Sequence, residues 1–501
     1  MPSFTRRRSL ALLAAAGAAP AAAGRAARAQ APDPAGLLPA EAVRADLRHL
    51  YETLEAGHYD LFAHRSRAEY EAQLARLTAG VDRPLTRREA AGTLQKLAAY
   101  GRIGHARLEA PAEEFVAHIR AGGTFLPIFV RVDGTRVRLT RTADAAGELA
   151  AGTELLSIEG EPAHAWLERL GAYVSAERPY MAHAQMEQSF PALLWVELGE
   201  RDALTVTVRG PEGAVVRRRV AAVTYPQLGE IGRAHPTPRI GADFNAREVR
   251  LLGDGIAYLR PGPFMNTAAD AAGPSPSYED SAYRAFLDAA FGTILTSGAS
   301  DLIVDLRDNP GGDNSFSDAM VAWFADRPFR FASRFMLKAS APTKAWYARQ
   351  RAEDPAPDRM LARLMAAEAA QPNGVRYAFE IPLTPPRAGP RYEGRVWALV
   401  NRHSYSNATS VAALIQDYGF GTVLGEETAD VPTTYASTVH FELPHTGYSV
   451  SYPKSWFVRP SGDETLRGVV PDTPLARQPI GDAEDRMLAA AVAHVRETRP
   501  R

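Results

Sequence analysis

Apolar residues recur three or four positions apart through LPAEAVRADLRHLYETLEAG, RAEYEAQLARLTAGV and PLTRREAAGTLQKLAAYG. That spacing predicts three helices between residue 38 and about 100, the third capped by Thr86. The period then shortens. FLPIFVRVDGTRVRLTRT predicts two strands around an Asp133-Gly134 turn, and DALTVTVRGPEGAVVRRRVAAV predicts another hairpin, so 120–225 reads as a β-rich module. Beyond it, buried strands alternate with amphipathic helices. YEDSAYRAFLDAAFGTILTSG, SFSDAMVAWFADR and ATSVAALIQDYGFG read as helices, and DLIVDLRDNPGG, RVWALVNRHSYSN and TVLGEET as strands running into turns. This alternation predicts βαβ units around a largely parallel sheet. TVHFELPHTGYSVSYPKSWFVRP reads as a late hairpin and AEDRMLAAAVAHVRET as a closing helix. Residues 341–390 are rich in Ala, Arg and Pro without a clear period, which suggests a helical insertion or a mobile loop.

Composition narrows the chemistry. The 501 residues include 57 Lys+Arg and 58 Asp+Glu, a net charge of −1 that gives no reason to expect nucleic acid or anionic lipid as the main partner. Cysteine is absent, which excludes disulfides, thiolate zinc sites, iron–sulfur clusters and a cysteine nucleophile. Of the basic residues only Lys96, Lys338, Lys344 and Lys454 are lysines. The rest are Arg, which stays protonated and cannot act as a general base. No spacing of metal ligands stands out, and neither a metal nor an organic cofactor is implied.

The N-terminus suggests export. Arg6-Arg7-Arg8 precedes a short alanine-rich apolar run, and Ala27-Arg28-Ala29 is a small-residue cleavage site. Residues 1–29 therefore read as a twin-arginine signal, with a periplasmic or secreted product. The apolar run is shorter than the ~20 residues a membrane-spanning helix needs.

Three segments have the makings of a site. Asp305-Leu306-Arg307-Asp308-Asn309-Pro310-Gly311-Gly312 ends a buried strand in a turn that exposes backbone N–H groups. It is either an anion-stabilising loop or a plain strand-to-helix turn. Asn401-Arg402-His403-Ser404-Tyr405-Ser406-Asn407 is a second such junction, where Ser406 is either an exposed nucleophile or an N-cap. In Gly101-Arg102-Ile103-Gly104-His105-Ala106, a His between small residues can reach a cleft, and neutral imidazole is the usual base for a serine.

Taken together, these segments resemble the tail-specific, or C-terminal-processing, serine peptidases and their tricorn-core relatives. Further family segments follow in order: Gln416-Asp417-Tyr418-Gly419, Leu424-Gly425-Glu426-Glu427-Thr428 and Gly468-Val469-Val470-Pro471-Asp472. The resemblance spans roughly 40–498. It implies an α/β fold with an N-terminal helical region (38–115), a PDZ-like module (120–225) and a crotonase-like serine peptidase core (245–498) interrupted by the 341–390 insertion. The expected partner is a peptide or an unfolded protein tail.

Carried over by position, Ser406 matches the family nucleophile. The N–H groups of Asn407 and of Gly311 or Gly312 match the oxyanion donors. The better-known branch takes its base from a Lys after Gly-Glu-x-Thr. This chain has Glu427-Thr428-Ala429-Asp430-Val431-Pro432-Thr433 there, with no Lys between Lys344 and Lys454. The tricorn-like branch uses a His, matched by His105, although the Ser that precedes it in that branch is here Gly104. Glu464 lies about one residue from that branch's acid. His403, His445 and Lys454 are rival bases. An imidazole base should titrate near pH 6–7. An inactive relative that binds peptides or a small ligand in the same cleft is the alternative. A crotonase-type acyl-CoA enzyme would share only the core fold, and an export signal argues against it.

Overall fold

A computed structural model describes residues 36–267, 279–354 and 359–499. The expected signal at 1–29 lies outside the described residues. The central sheet has six strands in the order Thr473–Pro474, Thr422–Gly425, Arg395–Val400, Asp301–Asp305, Ile256–Arg260 and Glu248–Leu251. All neighbours are parallel except the last pair. Such strands need cover on both faces, which is why they read as unbroken apolar runs. Ala257, Leu259, Leu302, Val304, Ala398 and Val400 face the helices Ser281–Ser297, Asn314–Val321 and Asn407–Tyr418. The alternate positions Ile256, Tyr258, Ile303, Trp397 and Leu399 face Met487, Leu488, Ala491 and Val495 of Arg486–Glu497.

The N-terminal helices are Ala40–Gly57, Arg67–Gly80 and Arg87–Ala98. The third begins as its sequence predicts: Thr86 accepts the Glu89 N–H while Glu89 reaches back to the Thr86 N–H, which satisfies two otherwise unpaired donors. These helices bury Leu47, Leu50, Leu54 and Leu94 against Val439, Val450 and Tyr452 of the late hairpin, whose strands are Thr434–Glu442 and Ser449–Val458. The two-residue strand Arg107–Leu108 pairs antiparallel with Ser449–Val458, in register Arg107 with Ser451. That pairing carries the segment just before it, including His105, to the other end of the chain.

A second antiparallel sheet, Val130–Asp133, Arg136–Leu139, Glu154–Ile158, Ala203–Arg209 and Val215–Ala221, contains both hairpins that the alternation predicts. The same stretch also holds a 20-residue helix, Pro179–Leu198, that the β-rich reading of 120–225 misses. This helix has Pro191 in its interior and no amphipathic stripe, because Phe190, Leu193, Leu194 and Val196 are buried around its circumference. In the 341–390 segment the chain is helical at Ala341–Glu353 and Arg359–Ala369, then adds the strand Arg376–Ala378 to the hairpin sheet.

Candidate active site

Two loops leave the carboxyl ends of the adjacent parallel strands Asp301–Asp305 and Arg395–Val400, where open α/β sheets place ligands. The Asp-Leu-Arg segment anchors the first loop. Arg307 donates to both oxygens of buried Asp305, at 2.9 and 2.7 Å, and to both of Asp485, at 2.7 Å each. Asn309, 1% exposed, ties the loops together. Its Nδ2 donates to the Gly262 carbonyl at 2.7 Å, its Oδ1 accepts the Gly311 N–H at 2.9 Å, and its carbonyl accepts the Tyr405 N–H at 2.9 Å.

This bonding separates the two glycines. The Gly311 N–H is committed to Asn309, so Gly311 is not the free donor it was expected to be as an alternative to Gly312. The Gly312 N–H donates to nothing among the described residues, and neither does the Asn407 N–H at the start of its helix. Gly311 has φ +89°, and a Cβ there would fall 2.6 Å from Asn407 N and 2.7 Å from the Tyr405 carbonyl oxygen. Only glycine lets the two loops approach this closely.

Ser406 sits at the turn into Asn407–Tyr418 with φ 52° and ψ −121°, a strained region for any residue but glycine. Its N–H donates to Asp430 Oδ2 at 2.5 Å, and its hydroxyl caps no helix N–H. The hydroxyl instead lies 3.3 Å from Nε2 of His105. The structure thus brings together Ser406, His105, Gly312 and Asn407.

His105 is 9% exposed. Its carbonyl accepts the Ser451 hydroxyl at 3.2 Å, its ring stacks on Tyr405, and its buried Nδ1 makes no hydrogen bond of good geometry. Loss of hydration, followed by the nearby Arg107 charge, holds the imidazole down at about 4, against the opposing effect of the Tyr435 main chain. An ordinary value of 6–7 was expected; burial overturns it. At neutral pH the ring is uncharged and able to accept a proton.

The rival bases are engaged elsewhere. His403 sits between carboxylates, with Nε2 2.9 Å from Glu187 and Nδ1 3.2 Å from Asp308. These partners overcome its burial and raise it to about 9, so it is an imidazolium at neutral pH. Lys454 donates to Ser437, to the carbonyl at 3.0 Å and to the hydroxyl at 2.9 Å. His445 lies at the hairpin turn, against the first helix, where its backbone N–H donates to Asp46 at 3.1 Å. Glu464, expected as the acid of the set, is not brought to His105. Its side chain is half exposed and paired with Arg334, in a loop that Asp463 folds back by accepting from Thr465.

Sequence reasoning missed the acids that do lie behind the pair. Asp430 occupies the segment where a Lys was sought, which was its only signal. Glu177, whose Oε1 accepts the Gly104 N–H at 3.0 Å, had none. Among the described residues no group of three His, Asp or Glu is placed to hold a metal ion, and no helix is long and apolar enough to cross a membrane.

The arrangement sets a serine hydroxyl beside a neutral imidazole, with two N–H groups that have no acceptor among the described residues. Residues 265–475 match the model of peptidase family S41. Among solved structures, mature CPAF complexed with lactacystin aligns with TM-score 0.59 and 15% identity, covering 91% of this chain and 97% of that one. Mature CPAF alone aligns with TM-score 0.58 and 17% identity over 87% and 93%. At these identities the likeness is one of fold. No curated protein sequence matches the chain.

Proposed function

The chain belongs, through residues 265–475, to peptidase family S41, and on that premise we propose that Ser406 is its nucleophile and His105 its general base, acting on peptides or the C-terminal tails of proteins. The observation that carries this reading is the 3.3 Å separation of Ser406 Oγ from His105 Nε2, within the range in which a base takes a hydroxyl proton, allowing for the looseness of an unliganded site.

The steps follow from the positions. With its proton on Nδ1, His105 has a lone pair on Nε2 that faces the Ser406 hydroxyl. As Oγ attacks the scissile carbonyl carbon, its proton passes to Nε2. The carbonyl oxygen gains a negative charge, and the N–H groups of Gly312 and Asn407 donate hydrogen bonds to it. One such donor is worth about 10²–10³ in rate where it has been removed elsewhere. The imidazolium then gives its proton to the departing amine, leaving an acyl group on Ser406. Water, deprotonated by the same ring, releases it.

The antiparallel sheet of 130–221 is, in this reading, a PDZ-like module that takes the substrate tail by strand addition. Support for its coupling to the site comes from Arg402, four residues before Ser406, which donates to the Val132 carbonyl and to Glu187, both at 2.7 Å. The twin-arginine segment would deliver the folded enzyme to the periplasm or beyond.

A fluorophosphonate probe tests the assignment. Wild type is expected to label, Ser406→Ala not to label, and His105→Ala to label slowly. An unlabelled wild type with no hydrolysis of any peptide in a broad library would favour the binding-protein alternative, for which the lack of a carboxylate at Nδ1 of His105 among the described residues is the supporting observation.

A further inference from the structure

Two carboxyl groups lie behind the Ser406–His105 pair, and the proposed chemistry uses neither. Each grips the main chain of one half of that pair. Glu177, just ahead of Pro179–Leu198, accepts the N–H of Gly104, the neighbour of His105, at 3.0 Å. Asp430, beyond the strand Thr422–Gly425, accepts the N–H of Ser406 at 2.5 Å on one oxygen and that of Val431 at 2.8 Å on the other. Asp430 is 1% exposed. The second oxygen of Glu177 is buried without a hydrogen-bond partner among the described residues, packed under Gly104, whose added Cβ would lie 3.1 Å from it and 3.4 Å from the Tyr405 hydroxyl.

Among the described residues no cation is dedicated to this pair. The nearby charges are Arg178, whose guanidinium is 2.7 Å from Glu427, and Arg107, 2.9 Å from Glu109. The remaining titratable neighbours, Tyr405, Tyr435 and His105, are uncharged at neutral pH. Two carboxylates enclosed this way cannot both ionise cheaply.

We propose that Glu177 and Asp430 are positioning residues: with Asp430 ionised and Glu177 protonated they clamp the Ser406 turn and the His105 loop together, and ionisation of both loosens the clamp. The inference rests on the assignment of Ser406 and His105 as the reactive pair. Burial, before any other cause, raises Asp430 to about 6; burial and then the Asp430 charge raise Glu177 to about 8. The clamp is therefore intact near neutrality and weakens as Glu177 titrates.

The test is the rate of fluorophosphonate labelling of the full chain between about pH 5 and 10. Wild type should slow as pH rises through about 8. Glu177→Gln keeps an oxygen for the Gly104 N–H and cannot ionise, so it should match wild type at pH 7 and lose the alkaline fall. Glu177→Ala should label about 10–100-fold more slowly than wild type near neutrality, the scale of a small misplacement of reacting groups, and the gap should narrow above about pH 8, where the wild-type clamp is itself loosened. Lys454, lowered by burial to about 8, and His403, at about 9, titrate in the same range, but neither can make the alkaline limb depend on residue 177. A Gln variant with the wild-type alkaline limb overturns the proposal, even if the Ala variant fails to fold. A wild type that labels at no pH overturns the reactive pair itself, and the clamp with it.

Discussion

The ring of Tyr405 stacks on the imidazole of His105, centroids 5.5 Å apart and planes 30° from parallel, while its hydroxyl donates to the Gly104 carbonyl at 3.1 Å. Tyr405, the residue before Ser406, thus braces the His105 ring from one face and holds its loop from behind. Orientation that a hydrogen-bonded acid could give to Nδ1 is supplied here by stacking and by the main chain. Tyr405→Phe keeps the stack and should retain most kcat/KM. Tyr405→Ala removes both supports and should cost about 10–100-fold. Equal kcat/KM for wild type and the Ala variant on a common peptide would show that the stack orients nothing.

Acidification should reveal how deeply His105 is buried. Its folded value, about 4, lies below its ordinary 6.5. The neutral ring persists in the folded protein as pH falls through 6 while the unfolded chain takes up a proton, so the stability it contributes, complete above 6.5, is lost progressively between 6.5 and about 4. The acid limb of kcat/KM should lie near 4. A limb at 6–7 would mean that the ring is solvated in the working enzyme. His105→Ala should lower turnover by about 10²–10⁴.

Ser406 adopts φ 52° at a cost of about 1–3 kcal/mol that glycine does not incur. Ser406→Gly should raise unfolding free energy by about 1 kcal/mol. Ser406→Ala should give no such gain, and both should be inert. Denaturant titration of the three proteins checks the ordering.

The proposed oxyanion donors cannot be tested by methyl addition alone. A Cβ on Gly312, at φ +136°, would lie 2.1 Å from the Phe264 carbonyl oxygen, and one on Gly311 would strike the Ser406–Asn407 peptide. Both Ala variants should lose stability as well as turnover, by more than about 1 kcal/mol each. Asn309→Ala is informative in another way. It frees the Gly311 N–H and leaves the Gly262 carbonyl unpaired, costing about 1–3 kcal/mol, and it should reduce kcat more than it raises KM.

Alkaline pH should weaken the fold through His403. Its folded value, about 9, exceeds the ordinary 6.5, so its stabilising effect is complete below 6.5 and disappears as pH rises through 9. Unfolding midpoints measured from about pH 6 to 10 should fall more steeply in wild type than in His403→Gln. Parallel slopes would mean that the imidazolium between Glu187 and Asp308 contributes nothing.

Periodicity revealed most of the scaffold because burial imposes it. The apolar runs at 256–260, 301–305 and 395–400 are covered on both faces, and the alternation at 130–139 and 203–221 marks a sheet with one face inward. The Pro179–Leu198 helix escaped because it is apolar around most of its circumference. Of the site, Ser406, His105, Gly312 and Asn407 stood out through motif segments. Which glycine N–H is free was not legible, because it depends on a single side-chain bond from Asn309. Nor was it legible that Glu464 turns outward to Arg334, or that Glu177 reaches Gly104 across 73 residues.

The short pairing of Arg107–Leu108 with Ser449–Val458 has a temporal consequence. Ser406 and His105 stand 301 residues apart in sequence and meet only when the two ends of the chain are zipped into one sheet. The strand that receives Arg107 lies beyond Ser406, so a growing chain carries its serine before it possesses the means to aim a base at it. The Ser406–His105 contact is thus among the late events of synthesis, out of reach until the chain has grown past residue 451.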